Sequence, residues 1–523
     1  MRIVEIRDLD GPNLFLMSPA IKVEIGDIPE GEQDEVIASL RDMITGLHVA
    51  IGLDAPTLSS TTMETPGHIV VAFEWTRRSL ARSLGGWAAQ LVIGERSDLD
   101  QVITELREIL DREPEEDDAP LLIKDADDRV PIVSVTGTNG KTTTSRLITF
   151  VLKHAGFKVG LTSSAGVFID GEQIVEGDYS GPSGARHVLA DSSVEFAVLE
   201  TARGGLLLRG CGYEASDVAL ITNVSEDHLG LHGIHSIEGL AAVKAIVARN
   251  VTPGGFCILN AGDEHVLAMR EVTPGVPVLF SPNFDSDAMR THIDSGGLAI
   301  SVDDDGNVVW FQDGESRIVT TLADIPMTFN GKASHQVENA LAGIAALIGL
   351  GLPDDQIREG VANFKSTAAN SKGRLNIFKV NDATVIIDFA HNEAGLTHLL
   401  NFARNFVEGD GRLISVIGTA GDRDNHSLRA IAQRAVRDAD VVVLKDSVHY
   451  LRGREAGEMI AEMHAAIQEL DGPGAEVRDA PDERTATFMM VDELRPHDVL
   501  AVMCVEDYSF ILEKLSNIGE EVA

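Results

Sequence analysis

Val133-Ser134-Val135-Thr136-Gly137-Thr138-Asn139-Gly140-Lys141-Thr142-Thr143-Thr144 runs from a strand through a glycine turn into a helix. Ile132, Val133 and Val135 are apolar and β-branched, as a buried parallel strand requires, and 145–153 reads as the following helix. Backbone N–H groups of Gly137, Thr138, Asn139, Gly140 and Lys141 would converge where the helix dipole favours an anion. Lys141 can reach the β- and γ-phosphates, and the hydroxyl of Thr142, next to Thr143, suits magnesium. The usual G-x-x-x-x-G-K-[ST] spacing would put glycine at 135, where this chain has valine. The flanking strand and helix still make a phosphate loop the expected reading, with ATP and Mg2+ as cofactors.

Outward from the loop, strands alternate with helices from about 126 to 365. Short apolar runs at 196–200, 218–223 and 256–260 are separated by helical or loop segments, the pattern of a doubly wound, mainly parallel sheet. A hairpin is expected from 296 onward, turning at Asp303-Asp304-Asp305-Gly306. Gly349 to Pro353 breaks a helix expected over 337–348, and four further strand-like runs (384–389, 413–417, 441–444, 499–503) describe a second α/β unit. Before the loop, the stretch 111–120 is acidic and proline-bearing and reads as a solvated linker. The residues ahead of it form a separate module, with strands at 21–25 and 69–73 and amphipathic helices at 32–47 and 99–110. The fold class expected is α/β in three parts: a small α+β N-terminal domain (1–125, linker included), a central P-loop doubly wound ATPase domain (126–368) and a C-terminal Rossmann-like α/β domain (369–523).

The 523 residues carry 82 acidic against 43 basic side chains, a formal charge of −39. That balance repels phosphate backbones and argues against a nucleic-acid partner. It fits either a solvated acidic surface or the attraction of a cationic substrate. No apolar stretch approaches a membrane span, and the alternating start, 1–6, lacks the apolar core of a signal peptide, so a cytoplasmic protein with no membrane partner is expected. Cys211, Cys257 and Cys504 stand apart, without the spacing of a disulfide framework or a zinc site, and read as buried free thiols.

The remaining chemistry lies at the ends of later strands, where α/β sheets place ligands. Glu200 ends one strand and Thr222-Asn223 another; Asp227-His228-Leu229 and then Lys244 on a helix follow. With Thr142, these groups suit one or two magnesium ions between ATP and a reacting carboxylate. The ordered set of the phosphate loop, Glu200, Asn223, His228, Lys244, Asn339 in His335-Gln336-Val337-Glu338-Asn339, Gly373-Arg374, and Asp388-Phe389-Ala390-His391-Asn392 resembles the Mur ligase family of ATP-dependent amide-forming enzymes. The resemblance implies that Glu200 and His228 hold a second magnesium and that Lys244 is carbamylated to support it, although an ammonium meeting the γ-phosphate is the alternative for Lys244. It also implies that Asn339 meets adenine and that Arg374, Asp388 and His391 belong to the nucleotide site.

A narrower resemblance is to the cyanophycin synthetases. It is carried by Leu199-Glu200-Thr201-Ala202-Arg203-Gly204-Gly205, Gly373-Arg374-Leu375-Asn376, Gly418-Thr419-Ala420-Gly421-Asp422-Arg423 and Leu451-Arg452-Gly453-Arg454, and at the start by Asp10-Gly11-Pro12-Asn13. Those enzymes carry an ATP-grasp domain where this chain has only its acidic linker. The resemblance therefore implies just one of their activities: joining an amino acid, arginine or another basic one, to a carboxylate of an aspartate-containing peptide or polymer. Arg452 and Arg454 are candidates to hold a substrate carboxylate. A metallopeptidase-like H-x-x-E-H motif of some relatives is not matched around His68, which reads as a loop or core residue. A cell-wall peptide ligase and a non-catalytic polymer- or partner-binding module stay open as alternatives, as does self-association.

Overall fold

The computed structural model describes residues 1–125, 130–227, 229–470, 472 and 474–522. Its first module is a four-stranded antiparallel sheet in the order β1-β2-β4-β3, from β1 (Arg2–Leu9), β2 (Ala20–Gly26), β3 (Leu58–Thr62) and β4 (Ile69–Glu74). Three helices, α1 (Gln33–Ala50), α2 (Arg78–Ile93) and α3 (Leu99–Leu110), cover one face. The register Ile21↔Phe73, Val23↔Val71, Ile25↔Ile69 sends alternate side chains onto Leu40, Ile44, Leu84 and Leu106, so the period of two expected at 21–25 and 69–73 builds this core.

The acidic stretch after α3 departs from expectation at one residue. Glu115, Glu116 and Asp117 are exposed, but Asp118 is buried at the start of α2. It accepts from Ser79 N at 2.6 Å, Ser79 Oγ at 2.8 Å and Arg77 Nε at 2.7 Å. The free N–H groups of a helix start supply the partners that let a carboxylate leave water.

The central unit is built on an eleven-stranded sheet. Seven of its strands run parallel in the order β6-β9-β5-β10-β11-β12-β13: β5 (Ile132–Thr136), β6 (Val159–Ser163), β9 (Phe196–Glu200), β10 (Ser216–Ile221), β11 (Val251–Asn260), β12 (Val276–Ser281) and β13 (Leu298–Val302). The antiparallel strands β7 (Gly166–Ile169) and β8 (Glu172–Glu176) close one edge, and β14 (Asn307–Gln312) and β15 (Glu315–Thr321) the other. The hairpin turning at Gly306 thus extends the sheet itself. The intervening helices are α4 (Lys141–His154), α5 (Pro182–Ala190), α6 (Arg203–Arg209), α7 (Ile237–Arg249), α8 (Glu264–Ala268) and α9 (Asp287–Asp294). After β15 come α10 (Ser334–Gly349), α11 (Asp354–Asn363) and the short α12 (Ala368–Ser371). Leu147, Ile148 and Val151 of α4 pack with Ile344 and Leu347 of α10 on one face, and Leu240, Val243 and Val247 of α7 cover the other.

The third unit has a seven-stranded sheet in the order β20-β19-β18-β21-β17-β16-β22. Its strands are β16 (Asn376–Val380), β17 (Ala383–Asp388), β18 (Leu413–Ile417), β19 (Val441–Lys445), β20 (Glu476–Ala480), β21 (Val499–Met503) and β22 (Glu520–Val522). The run from β20 to β17 is parallel, and helices α13 (Glu393–Arg404), α14 (Asn425–Asp438), α15 (Glu458–Gln468), α16 (Glu483–Asp492) and α17 (Tyr508–Ile518) cover both faces. All three cysteines are buried and free. No helix among the described residues is long and apolar enough to cross a membrane.

Candidate active site

β5 lies between β9 and β10, so the loop after it opens beside Glu200, the last residue of β9, and beside Thr222 and Asn223, which follow β10. α4 begins at Lys141 itself, four residues before the helix expected from the sequence, because the phosphate loop is the helix's own N-terminus. Gly137 has φ +145° and Gly140 φ +88°. A Cβ at Gly137 would sit 1.8 Å from Thr222 Oγ1, and one at Gly140 2.3 Å from Asn339 Oδ1. Asn223 fastens the loop: its Oδ1 accepts from Asn139 N at 2.9 Å, and its Nδ2 donates to Asn139 O at 3.1 Å. Lys141 Nζ donates to Gly137 O and Thr138 O, at 3.0 and 2.9 Å.

Glu200 is 2% exposed, and its carboxylate accepts from Thr142 Oγ1 at 3.0 and 3.2 Å. Burial pushes its pKa above the usual value, against the pull of Lys141 and the Thr142 bond. Lys244, on α7, is 3% exposed, and among the described residues no hydrogen bond or ion pair holds its ammonium. Burial, with Lys141 and Arg203 nearby, lowers its pKa to about 7. His228 lies outside the described residues. Its neighbour Asp227 pairs with Arg423 of the third unit and stands 3.8 Å from His391 Nε2.

The third unit closes over this edge. Arg374 is half-buried, its guanidinium 4.4 Å from the centre of the Phe389 ring, with Nη1 donating to Phe389 O at 3.3 Å. Burial lowers its pKa and raises that of Asp388, which accepts from Leu375 N at 2.9 Å. Asn392, the N-cap of α13, donates through Nδ2 to Asn139 Oδ1 of the phosphate loop at 3.3 Å, and its Oδ1 accepts from Asn139 Nδ2 at 3.4 Å. At the seam is a narrow cleft of about 100 Å³, lined by Thr138 to Thr143, Asn223, His335, Glu338 and Asn339 on one side and Arg374, Asp388, His391 and His398 on the other. A wider cleft of about 730 Å³ shares Lys141, Thr142, Arg374 and His391 with it and continues past Glu200, Lys244, Asp227 and Arg203 to Asp422 and Arg452. The wider cleft has the size and mixed lining of a small-molecule site, and the narrower one is a polar extension of it.

The clefts thus bring together the site residues read from the sequence that the structure describes, with one exception. Arg454 is not among them: it is held by Gly421 O, Arg423 O, Asn425 and Glu458, and so braces a turn. Arg452 does line the wider cleft, paired with Asp422. His68 is half-buried at the foot of β4, its Nδ1 2.8 Å from Glu24. Arg423, Asn392 and the facing pair His335 and His398, ring centres 5.2 Å apart, had no role assigned from sequence. Their parts depend on which strand ends the third unit turns toward the loop, and no local pattern records that.

Two family profiles match the chain: the Mur ligase middle domain over residues 135–347 and the Mur ligase, glutamate ligase domain over 373–504. Through these two domains the chain belongs to the Mur ligase family. Among curated relatives, the cyanophycin synthetase of Trichormus variabilis is 36% identical over 381 residues, 73% of this chain and 42% of that one. The chain therefore spans less than half the length of that relative. The UDP-N-acetylmuramoyl-L-alanyl-D-glutamate–2,6-diaminopimelate ligase of Parabacteroides distasonis is 27% identical, covering 66% of each chain. The fold is shared with the solved folylpolyglutamate synthase of Mycobacterium tuberculosis, at a TM-score of 0.54 and 19% identity over 75% of this chain and 93% of that one.

Proposed function

We propose that the chain is an ATP-dependent, ADP-forming carboxylate–amine ligase, which joins an amino acid to a carboxylate of an aspartate-containing peptide or polymer. The observation that carries this reading is the convergence, at one strand edge, of a phosphate loop, the buried Glu200–Thr142 pair and the buried Lys244, with Arg374 brought in by the third unit. We take 1–125, 126–368 and 369–523 as the three domains, with the linker passing directly into the central one where cyanophycin synthetases carry an ATP-grasp domain. The cytoplasm, where ATP is available, is the compartment this chemistry requires.

In the reaction, the acceptor carboxylate attacks the γ-phosphorus of ATP, and the bond to the bridging oxygen breaks, giving an acyl phosphate and ADP. The amine nitrogen then attacks the acyl carbon, phosphate leaves with the C–O electron pair, and the nitrogen loses a proton to solvent. Lys141 and Arg374 supply positive charge beside the transferring group, and closure of the third domain keeps water from the acyl phosphate. Thr142 and Glu200 are hard oxygen donors, and no group of three or more His, Cys, Asp or Glu among the described residues forms a closed metal cage. That fits Mg2+, which takes one or two protein oxygens together with phosphates and water and would neutralise charge on the phosphoryl group. A lysine with a pKa near 7 is partly neutral in the cell, and the neutral amine is the form that adds CO2 to give a carbamate, so Lys244 suits carbamylation. The carbamate would offer a further oxygen ligand beside Glu200 and His228.

ADP release tests the reading, with MgATP and each amino acid paired in turn with aspartate-rich peptides, β-Asp-Arg oligomers and uridine-linked muropeptides. Release that needs an aspartyl acceptor and one amine, arginine foremost, is the expected result. Dependence on a muropeptide would instead move the chain to cell-wall synthesis, the reading that the diaminopimelate ligase similarity favours. Nucleotide binding with no turnover on any pair would leave the non-catalytic binding module. Amine-dependent ADP release that survives Lys141→Ala would overturn the phosphate-loop assignment.

A further inference from the structure

The loop between β3 and β4 of the N-terminal module reaches across to the start of α7, the helix that carries Lys244. Glu64, on that loop, accepts from Ser236 N at 2.8 Å, from Ser236 Oγ at 2.5 Å and from His235 N, and the adjacent Thr65 Oγ1 lies 3.1 Å from His235 Nε2. Ser236 is the N-cap of α7, and its Oγ in turn accepts from Gly239 N at 3.0 Å. A second observation, of backbone rather than hydrogen bonding, points the same way. Glycine in a helix is unfavourable, yet one stands at 239 in the first turn, where a Cβ would lie 2.1 Å from Glu64 Oε1. The Glu64 carboxylate occupies the space that a side chain at 239 would take.

α7 is the far end of a segment whose near end, Thr222-Asn223, is fastened to the phosphate loop. That segment carries Asp227 and His232 on the rim of the wider cleft, and Lys244 lies about two turns into the helix. We propose that Glu64 is a positioning residue for the ligase reaction: it fixes the start of α7 and so sets where Lys244 stands relative to Glu200 and the phosphate loop. The N-terminal module thereby becomes a brace for the chemistry. The inference rests on the proposed function for its kinetic arm only.

Glu64 is exposed, so its replacement leaves every core intact. The test compares the full chain with Glu64→Ala, Gly239→Ala and the double variant, by ADP release and by hydrogen exchange of the α7 amides. In Glu64→Ala, exchange in the first two turns of α7 rises about tenfold while α10 is unchanged, as a local opening requires. Turnover, kcat, falls about tenfold with KM for ATP unchanged, the split that separates a displaced reacting group from a loosened nucleotide site. Gly239→Ala alone acts in the same direction, because its methyl group pushes the Glu64 carboxylate off Ser236. Added to Glu64→Ala it does no further harm, a non-additivity that independent sites would not give. Unchanged exchange in Glu64→Ala, or faster exchange with full kcat, overturns the proposal. If the unaltered protein releases no ADP with any substrate pair, the proposed function fails by itself; exchange then decides, faster α7 exchange supporting the brace and unchanged exchange overturning it.

Discussion

Asp227, beside the central phosphate loop, is ion-paired with Arg423 of the third unit, and the two side chains are 15% and 6% exposed. The pair crosses the seam at the rim of the wider cleft, so it contributes only when the third unit is closed. Arg423→Gln leaves Asp227 in a partly dry site without that charge, and truncating one member of such a pair costs about 2 kcal/mol or more. We expect kcat to fall at least about tenfold, since 1.4 kcal/mol is a factor of ten, with nucleotide affinity little changed. Stopped-flow ADP release set beside equilibrium binding of a fluorescent nucleotide checks the split; equal losses in both would place Arg423 in the nucleotide site instead.

Gly140 offers a sharper test of the loop. Its φ of +88° and the 2.3 Å approach to Asn339 Oδ1 leave no room for a side chain without strain in the turn and a shift of the Asn339 amide. Gly140→Ala is expected to weaken ATP binding about a hundredfold, the 2–3 kcal/mol typical of strain at a left-handed position compounded by a clash. Calorimetric titration with a non-hydrolysable analogue reads this directly, and near-native affinity would show that the loop adapts.

Lys244 ties activity to pH. Burial lowers its pKa from the ordinary 10.5 to about 7, so it sheds its proton as pH rises through neutrality. Turnover should climb across that range and respond to added bicarbonate, and Lys244→Met should be nearly inactive yet partly restored by short carboxylic acids. The stability sign agrees: between about 7 and 10.5 the unfolded chain binds this proton and the folded one does not, so this group makes the fold more stable as pH rises. A flat pH profile, indifferent to CO2, would leave Lys244 an ordinary cation.

Lys445 and Glu483 form a fully buried ion pair of 2.6 Å in the third unit. Glu483 also accepts from Val505 N at 2.8 Å and Asp507 N at 2.7 Å, whereas among the described residues Lys445 has besides it only Ser447 Oγ at 3.3 Å. Removing one member of a buried pair costs about 3–5 kcal/mol. Lys445→Met should fall at the low end, because backbone donors still satisfy the carboxylate, and Glu483→Gln at the high end. Burial raises the Glu483 pKa, but Lys445 and the hydrogen bonds outweigh it and hold the group below 4.5. Its contribution is complete above pH 4.5 and is lost as pH falls through the lower folded value, so in Lys445→Met acid unfolding begins at higher pH. Urea titrations from pH 3 to 7 measure both effects.

Much of this was legible because it is local. The phosphate loop, the strand ending in Glu200 and the four apolar strands of the third unit are each set by periodicity within a few residues. β20 and β22 escape the reading, since Glu476 to Ala480 and Glu520 to Val522 are largely polar edge segments that their neighbours hold in place. Asp118 was misread because charge repulsion is visible in sequence, while the helix N-terminus that captures the carboxylate lies forty residues earlier. Asn392 and Arg423 belong to the seam, and a seam between separately built sheets leaves no periodic trace in either.

The packing of α4 against α10 also bears on synthesis. α4 ends at His154 and α10 at Gly349, so roughly 200 residues emerge after the first helix before its cover exists. At about 5–20 residues per second, the apolar side of the central sheet stays wet on the ribosome for roughly 10–40 seconds. Its parallel strands offer no hairpin to shelter the face meanwhile, which makes this nascent chain a natural client for chaperones that hold exposed apolar surface.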